Sequence, residues 1–277
     1  MAETEIQASS RPRWGLTLAE RTGLLALSLA LLLLPLDKRL ALLPPAMFLL
    51  LCLAAPLFPG FSFFLPIISR GCSGRPVVAL TFDDGPDPQT TARLLDLLAR
   101  HGAAATFFVT GQNARLHPGL IRSILERGHT IGNHSYSHDN LIMLKSPGAL
   151  LQEIQRAQEV FQRLGFRPLA FRPPVGVTNP WLADALARTG LYIVNFSKRA
   201  GDRGNRCVTQ ISRRILKGLR PDDIIMLHDI APRDTAGAEV WLSEVERVLA
   251  GVQAQGLAVR PLGELIQRPV MEPVCTS

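Results

Sequence analysis

The chain has 277 residues, a formal net charge of +7 and 47% apolar residues. Its mean hydropathy of +0.17 is high for a soluble enzyme, and the excess lies almost wholly before residue 70. No block of Lys and Arg is interleaved with aromatic residues, so nucleic-acid binding has little support; the basic balance fits an anionic membrane or glycan surface at least as well. Cys52, Cys72, Cys207 and Cys275 show no metal-ligand or redox spacing, read as isolated thiols and leave the compartment open.

Residues 1–21 form a polar tail of cytoplasmic type. Thr22–Leu36 is uncharged, "DKR" follows at 37–39, and Leu40–Ser69 runs thirty residues without a charge but with five prolines. A membrane-spanning helix needs about 20 apolar residues. Residues 22–69 are therefore expected to be a transmembrane region of one or two helices: a hairpin with "DKR" at its turn, or one span plus an interfacial segment. A buried helix pair in a soluble protein is the alternative. Arg11, Arg13 and Arg21 favour a cytoplasmic N-terminus, whereas Lys38 and Arg39 oppose an outward-facing hairpin turn. The expectation is attachment to the inner or plasma membrane, with the face occupied by the rest of the chain left open.

From Arg75 onward short apolar runs alternate with segments of helical period. Strands are expected near Val77–Phe82, Ala104–Val109, Thr130–Asn133, Leu169–Arg172, Leu191–Phe196, Ile224–Leu227 and Leu257–Arg260. Helices are expected near Thr90–Arg100, Pro118–Arg127, Gly148–Leu164, Pro180–Arg188, Val208–Lys217 and Ala238–Gln255. In "PGLIRSILERG", Pro118 suits a helix start, Ile121, Ile124 and Leu125 make an apolar stripe, and Gly128 stops the turn. Alternating strands and helices imply an α/β fold with a parallel sheet or barrel over residues 75–266, followed by a tail at 267–277.

In such folds the working residues gather at the carboxyl ends of the strands. "TFDDGP" ends the first strand with Asp83 and Asp84 side by side, and two neighbouring carboxylates repel unless a cation neutralises one. "IGNHSYSH" ends the third strand with His134 and His138 four apart; a helical turn there would put both imidazoles on one face, where they suit a metal such as zinc. "FRPPVG" ends the fourth with Arg172 before two stiff prolines, placed to hold a carboxylate by a bidentate fork. "IIMLHD" ends the sixth with His228, whose near-neutral pKa suits a general acid. Each signal alone has a plainer explanation: a solvated acidic turn, two unrelated histidines, a surface arginine, a core histidine. Together, at the ends of different strands, they are the equipment of metal-assisted hydrolysis. Two histidines and a carboxylate also describe the facial triad of Fe(II) oxygenases.

The ordered set "TFDDGP", "HSYSH", "FRPPVG" and "MLHD" resembles the NodB-type polysaccharide deacetylases, carbohydrate esterase family 4, over about Arg75–Ile266. "AAATFFVTGQNA" and "ERGHTIGNHS" are similar to that family too. The resemblance implies a distorted parallel (β/α)7 barrel that removes N-acetyl groups from amino-sugar glycans such as peptidoglycan or chitin-like oligomers. It implies Asp83 as general base held by Arg172, and His228 as general acid. Asp84, His134 and His138 would be metal ligands, and the Val175 backbone N–H an oxyanion donor. Zinc suits these ligands, with cobalt, nickel or iron(II) as alternatives. Pro174, Val175 and Leu227 are the expected substrate-side residues, with Met226 and Leu227 as the apolar wall near the acetyl group. Two departures stand out. Val175 replaces the usual tyrosine, and "VNFSKRAGDRG" lacks the usual Asp-Trp, so Arg199 and Asp202 are the candidates for the Arg and Asp slots, with Asp202 supporting His228. The apolar N-terminus admits a variant acting on a lipid-linked amino sugar at a bilayer surface; a non-catalytic glycan-binding member is the other alternative. The protein is expected to act as a monomer.

Overall fold

The computed structural model describes residues 15–232 and 235–274. Helix α1 (Leu18–Leu33) opens on a reciprocal cap: the Thr17 hydroxyl accepts from the Glu20 N–H at 3.2 Å, and Glu20 Oε2 accepts from the Thr17 N–H at 2.7 Å. Pro35 cannot continue it. Asp37 caps the single turn α2 (Lys38–Ala41), and α3 (Leu43–Ala54) runs back beside α1. A Cβ on Gly23 would lie 3.0 Å from the Phe48 ring, so the missing side chain lets the two helices close up. Most leucines of this hairpin, Leu31, Leu32, Leu50 and Leu53 among them, are exposed. Among the described residues Lys38–Leu57 is the one helical stretch long and apolar enough to cross a membrane.

The second apolar run does not stay helical to Ser69. A 3₁₀ turn at Ala55–Leu57 ends it, and Phe58 is extended. The chain then straps across the following domain. Phe63, Phe64 and Leu65 are buried in a core shared with Phe171, Leu182 and Ile193. Ile68 bridges Val194 in parallel, and Arg70 bridges Asp223 in antiparallel fashion. The apolar character of this stretch is thus spent on protein packing. Nothing in its composition distinguishes that use from contact with lipid.

The strap leads into β1 (Val77–Asp83), α4 (Thr91–Arg100), β2 (Thr106–Val109), α5 (Gly111–Leu116), α6 (Pro118–Glu126) and β3 (Thr130–Asn133). Next come α7 (Pro147–Arg163), β4 (Phe166–Pro168), β5 (Ala170–Phe171), α8 (Leu182–Thr189), β6 (Tyr192–Ile193) and β7 (Lys198–Arg199). The chain closes with α9 (Ile211–Leu216), β8 (Ile224–His228), α10 (Thr235–Ala254), β9 (Ala258–Val259), α11 (Leu262–Ile266) and β10 (Met271–Pro273). The main sheet runs β6-β5-β3-β2-β1-β8-β7, all neighbours parallel, with β9 beside the start of β1. It curls into a half-barrel with helices outside, the NodB-type (β/α)7 architecture. Strand β7 was not expected, because two cationic residues carry no apolar period. Residues 267–274, expected as a tail, include β10, which pairs antiparallel with β4, and Val270, which is buried in the inner core.

Strand parity divides the core. Val78, Leu80 and Phe82 pack with Leu94, Trp241 and Val245 of the outer helices. Ala79 faces inward with Phe108, Ile224 and Met226. Burying one such large side chain contributes roughly 1.5–3 kcal/mol. Thr81 and Asp83 share the inward parity of Ala79, so β1 delivers its last carboxylate to the inside of the curl.

Cys52, Cys72 and Cys207 are free thiols, whereas Cys275 lies outside the described residues.

Candidate active site

Asp83 and Asp84 would diverge on a regular strand, and the backbone prevents it. Asp84 sits at φ 74°, in the left-handed region that non-glycine residues seldom adopt. That reversal turns its carboxylate to the same rim as Asp83. Gly85 is required next: a Cβ there would lie 2.7 Å from Asp229 Oδ2. The Asp84 carbonyl accepts from Asn113 Nδ2 at 2.8 Å, which ties the turn to α5.

Beyond β3, His134 and His138 meet through an irregular turn rather than along a helix face. Ser135 and His138 have φ of 65° and 54°. The turn is held by the Ser135 N–H donating to Asn133 Oδ1 at 2.8 Å and the His138 N–H donating to Ser135 Oγ at 3.2 Å. His134 Nε2 and His138 Nε2 approach Asp84 Oδ1 to 3.3 and 3.0 Å. Against the Arg172 carbonyl, at 2.7 Å, His134 Nδ1 is the donor, which leaves a lone pair on Nε2.

One ligand atom from each of Asp84, His134 and His138 lies within 4.8 Å of the others. Asp84 Oδ1 is buried and lacks a well-aligned hydrogen bond among the described residues. Three donors aimed at a common point, rather than well at one another, fit a shared cation. Burial alone would raise the Asp84 carboxyl, but the adjacent His134 and His138 outweigh it and hold it well below the usual carboxylate range.

Arg172 is fully buried against this cluster. Its Nη1 donates to Asp83 Oδ1 at 2.6 Å and to Thr81 Oγ1 at 2.7 Å; Nε reaches the Val194 carbonyl and Nη2 the Asn195 carbonyl, each at 3.1 Å. The guanidinium lies 3.9 Å from the Phe108 ring centroid. The expected bidentate fork is therefore absent. One nitrogen meets Asp83, and the other two satisfy carbonyls that follow β6.

His228 ends β8 with Nδ1 2.8 Å from Asp202 Oδ2, and Asp202 is 1% exposed. Burial opposes the imidazolium, but the Asp202 hydrogen bond and charge, with Asp84 and Asp83 further off, push the His228 pKa up to about 9. Asp202 thus stands beside His228 despite the missing Asp-Trp pair, whereas Arg199 is exposed on β7.

Pro174 is buried in a 3₁₀ turn with Gly176, and Val175 between them is 53% exposed at φ 53°. A β-branched residue in that region is strained, and such outliers cluster at working sites. Leu227 requires a correction. It pairs with Phe82 in register and packs in the helix-side core, on the face away from Asp83 and His228. Alternation along β8 leaves Met226, register partner of Thr81, on the site's face.

Two buried residues here escaped the sequence reading. Asp229 accepts from Thr90 Oγ1 at 2.8 Å and Thr91 Oγ1 at 2.6 Å, clamping the start of α4 to β8; burial pushes its pKa up to about 7. Asn195 donates through Nδ2 to the Pro59 carbonyl at 2.6 Å and the Gly176 carbonyl at 3.2 Å, while its own carbonyl accepts from Arg172. Both stood in noted stretches, "MLHD" and "VNFSKR", but polar residues beside apolar runs gave no sign of their buried partners.

Both the sequence and the fold have counterparts among known proteins. The family profile described as Polysaccharide deacetylase matches residues 70–194. A chitooligosaccharide deacetylase of Azorhizobium caulinodans is 32% identical over 67% of this chain and 92% of its own length. A peptidoglycan-N-acetylglucosamine deacetylase of Listeria monocytogenes is 34% identical over 61% of this chain, which spans only 36% of that protein. Among solved structures, the Bc1960 peptidoglycan N-acetylglucosamine deacetylase superposes with a TM-score of 0.67 at 28% identity, covering 74% of this chain and 94% of that one. The chain belongs to the polysaccharide deacetylase family.

Proposed function

We propose that this protein is a metal-dependent N-deacetylase of N-acetylated amino-sugar glycans, the chemistry named for its peptidoglycan- and chitooligosaccharide-deacetylating relatives. The observation that carries this reading is the convergence of Asp84, His134 and His138 between an arginine-held carboxylate and a carboxylate-held imidazole. Simple sugar binding calls for no such acid–base pair. A parallel α/β sheet also differs from the β-jelly-roll scaffold usual for facial-triad oxygenases.

Asp83 takes the proton of the attacking water, and the Arg172–Asp83 contact keeps that carboxylate aimed. The Val175 N–H points its dipole at the developing oxyanion. His228, its Nδ1 engaged by Asp202, presents Nε2 and donates a proton to the departing sugar nitrogen. A divalent cation on Asp84, His134 and His138 would supply Lewis acidity, polarising the amide carbonyl and lowering the pKa of water. Zinc suits this donor set, with cobalt, nickel and iron(II) as the alternatives that elemental analysis distinguishes.

We read the α1–α3 hairpin, with its exposed leucines, as a membrane anchor of a monomeric enzyme. The deciding experiment is acetate release by the purified full-length protein from peptidoglycan, chitin oligomers and monomeric N-acetylglucosamine, with and without a chelator. Release that stops on chelation and returns with zinc is expected; no release from any N-acetylated sugar would overturn the reading.

A further inference from the structure

The strap that leaves the apolar hairpin does not tether the barrel at a distance. Its first residues are built into the mouth of the site. The helical stretch ends at Leu57, and Pro59, two residues on, is already tied through Asn195 to the loop bearing Val175. Asn195 Nδ2 bonds the carbonyls of both Pro59 and Gly176, and a Cβ on Gly176 would meet the Pro59 ring at 3.4 Å. Two residues of extended chain span at most about 7 Å. The end of the hairpin and the loop bearing Val175 are therefore held within one headgroup layer of each other.

A second observation points the same way. The mouth carries large apolar side chains open to solvent: Phe58 62%, Leu141 62%, Leu144 83%, Val175 53% and Trp181 53%. They are not scattered. Leu141 and Leu144 flank the turn that follows His138, and Asn179 Nδ2 fastens that turn, through the Met143 carbonyl at 2.8 Å, to the loop between Val175 and Trp181. Phe58 precedes Pro59, which Asn195 ties to the same loop at Gly176. An apolar rim continuous with an exposed apolar hairpin is the kind of contiguous patch that marks a membrane-contacting surface.

From these two observations we infer that the rim lies in the bilayer surface, and that the site takes an N-acetylated amino sugar carried on a membrane lipid. This rests on the deacetylase reading above. The hairpin sinks into the membrane, the rim seats the barrel mouth at the headgroup level, and the sugar enters the site while its lipid stays in the bilayer. A long soluble polymer would have to reach a mouth turned toward lipid.

The test uses the full-length protein in phosphatidylglycerol–phosphatidylcholine vesicles. It compares polyprenyl-phosphate-linked N-acetylglucosamine in the same vesicles with soluble chitotetraose. The expected result is a kcat/KM at least tenfold higher for the lipid-linked sugar. Leu144→Glu and Trp181→Glu should each lower that value at least fivefold while leaving chitotetraose turnover unchanged, which also reports that the variants fold. Equal or better turnover of chitotetraose by the wild type, or an equal loss on both substrates in the variants, would overturn the rim assignment but leave the deacetylase reading intact. Failure on both substrates by the wild type would sink both. A substrate-free measurement stands beside it. In a Trp14→Phe background, brominated lipid should quench Trp181 emission but not that of Trp241, which is 0% exposed. Emission that brominated lipid leaves unaltered would overturn the proposal.

Discussion

Asp83 and His228 are register partners on the adjacent parallel strands β1 and β8. Their side chains leave the same face one strand spacing apart, about 4.8 Å along the hydrogen-bonding direction. The proposed base and acid are thus set by sheet register rather than by loop conformation. Each is then braced by a buried partner of opposite charge, Arg172 on one side and Asp202 on the other.

Replacing the base isolates its role. Asp83→Asn is expected to lower acetate release by about 10²–10⁴-fold, the usual worth of a positioned proton acceptor. Its metal content, read by elemental analysis, should match the wild type, because the ligands are elsewhere. Undiminished turnover would refute the assignment.

Removing one of the proposed imidazole ligands has the opposite signature. His134→Ala and His138→Ala are each expected to purify with little bound metal and to lose activity that zinc at ordinary concentrations does not restore. Unaltered metal content would show that the three donors do not share an ion.

The Arg172–Asp83 contact is a buried ion pair, and breaking one partner leaves the other uncompensated. Arg172→Met is expected to cost on the order of 3–5 kcal/mol. At about 2–4 °C per kcal/mol for a domain of this size, that is a melting-temperature fall on the order of 10 °C. The double variant Arg172→Met/Asp83→Asn should recover part of the loss, since no charge is then stranded. Additive losses would mean the pair is not coupled.

The pH profile carries the Asp202 contact. His228 must hold its proton to act as an acid, so activity should fall as pH rises through about 9. Asp202→Asn removes the foremost influence raising that pKa and should move the alkaline limb down toward the ordinary imidazole value of about 6.5. The folded-state pKa lies above the unfolded one. The stability gained from the pair is therefore complete below about pH 6.5 and is lost as pH climbs toward 9. An alkaline limb that does not move in Asp202→Asn would refute the coupling.

The catalytic half of the molecule was legible because its signals are local. An apolar run ending in "DD", or in "NH", marks a strand and its carboxyl terminus at once, and the closing sheet gathers those ends without further instruction. What stayed hidden depends on long-range geometry. Leu227 falls on the face opposite to the expected one because one residue of parity decides between site and core, and the sequence "MLHD" shows no parity of its own. The fork expected of Arg172 gave way to carbonyls of Val194 and Asn195, which no local pattern couples to it. The split of the second apolar run at Leu57 was invisible because Phe63 buried in protein and Phe63 buried in lipid have the same composition.

The docked strap between the hairpin and β1 decides how this protein can be shortened. A soluble form that begins at Arg75, or at residue 70 where the family match starts, discards Phe63, Phe64 and Leu65, whose exposures are 0%, 8% and 4%. It also strips Ile68 from Val194 and Pro59 from Asn195, the residue whose carbonyl steadies Arg172. Expression of such a fragment would yield a barrel with an open seam beside the arginine that holds Asp83. A cut at Phe58 removes the greasy hairpin and keeps the seam closed.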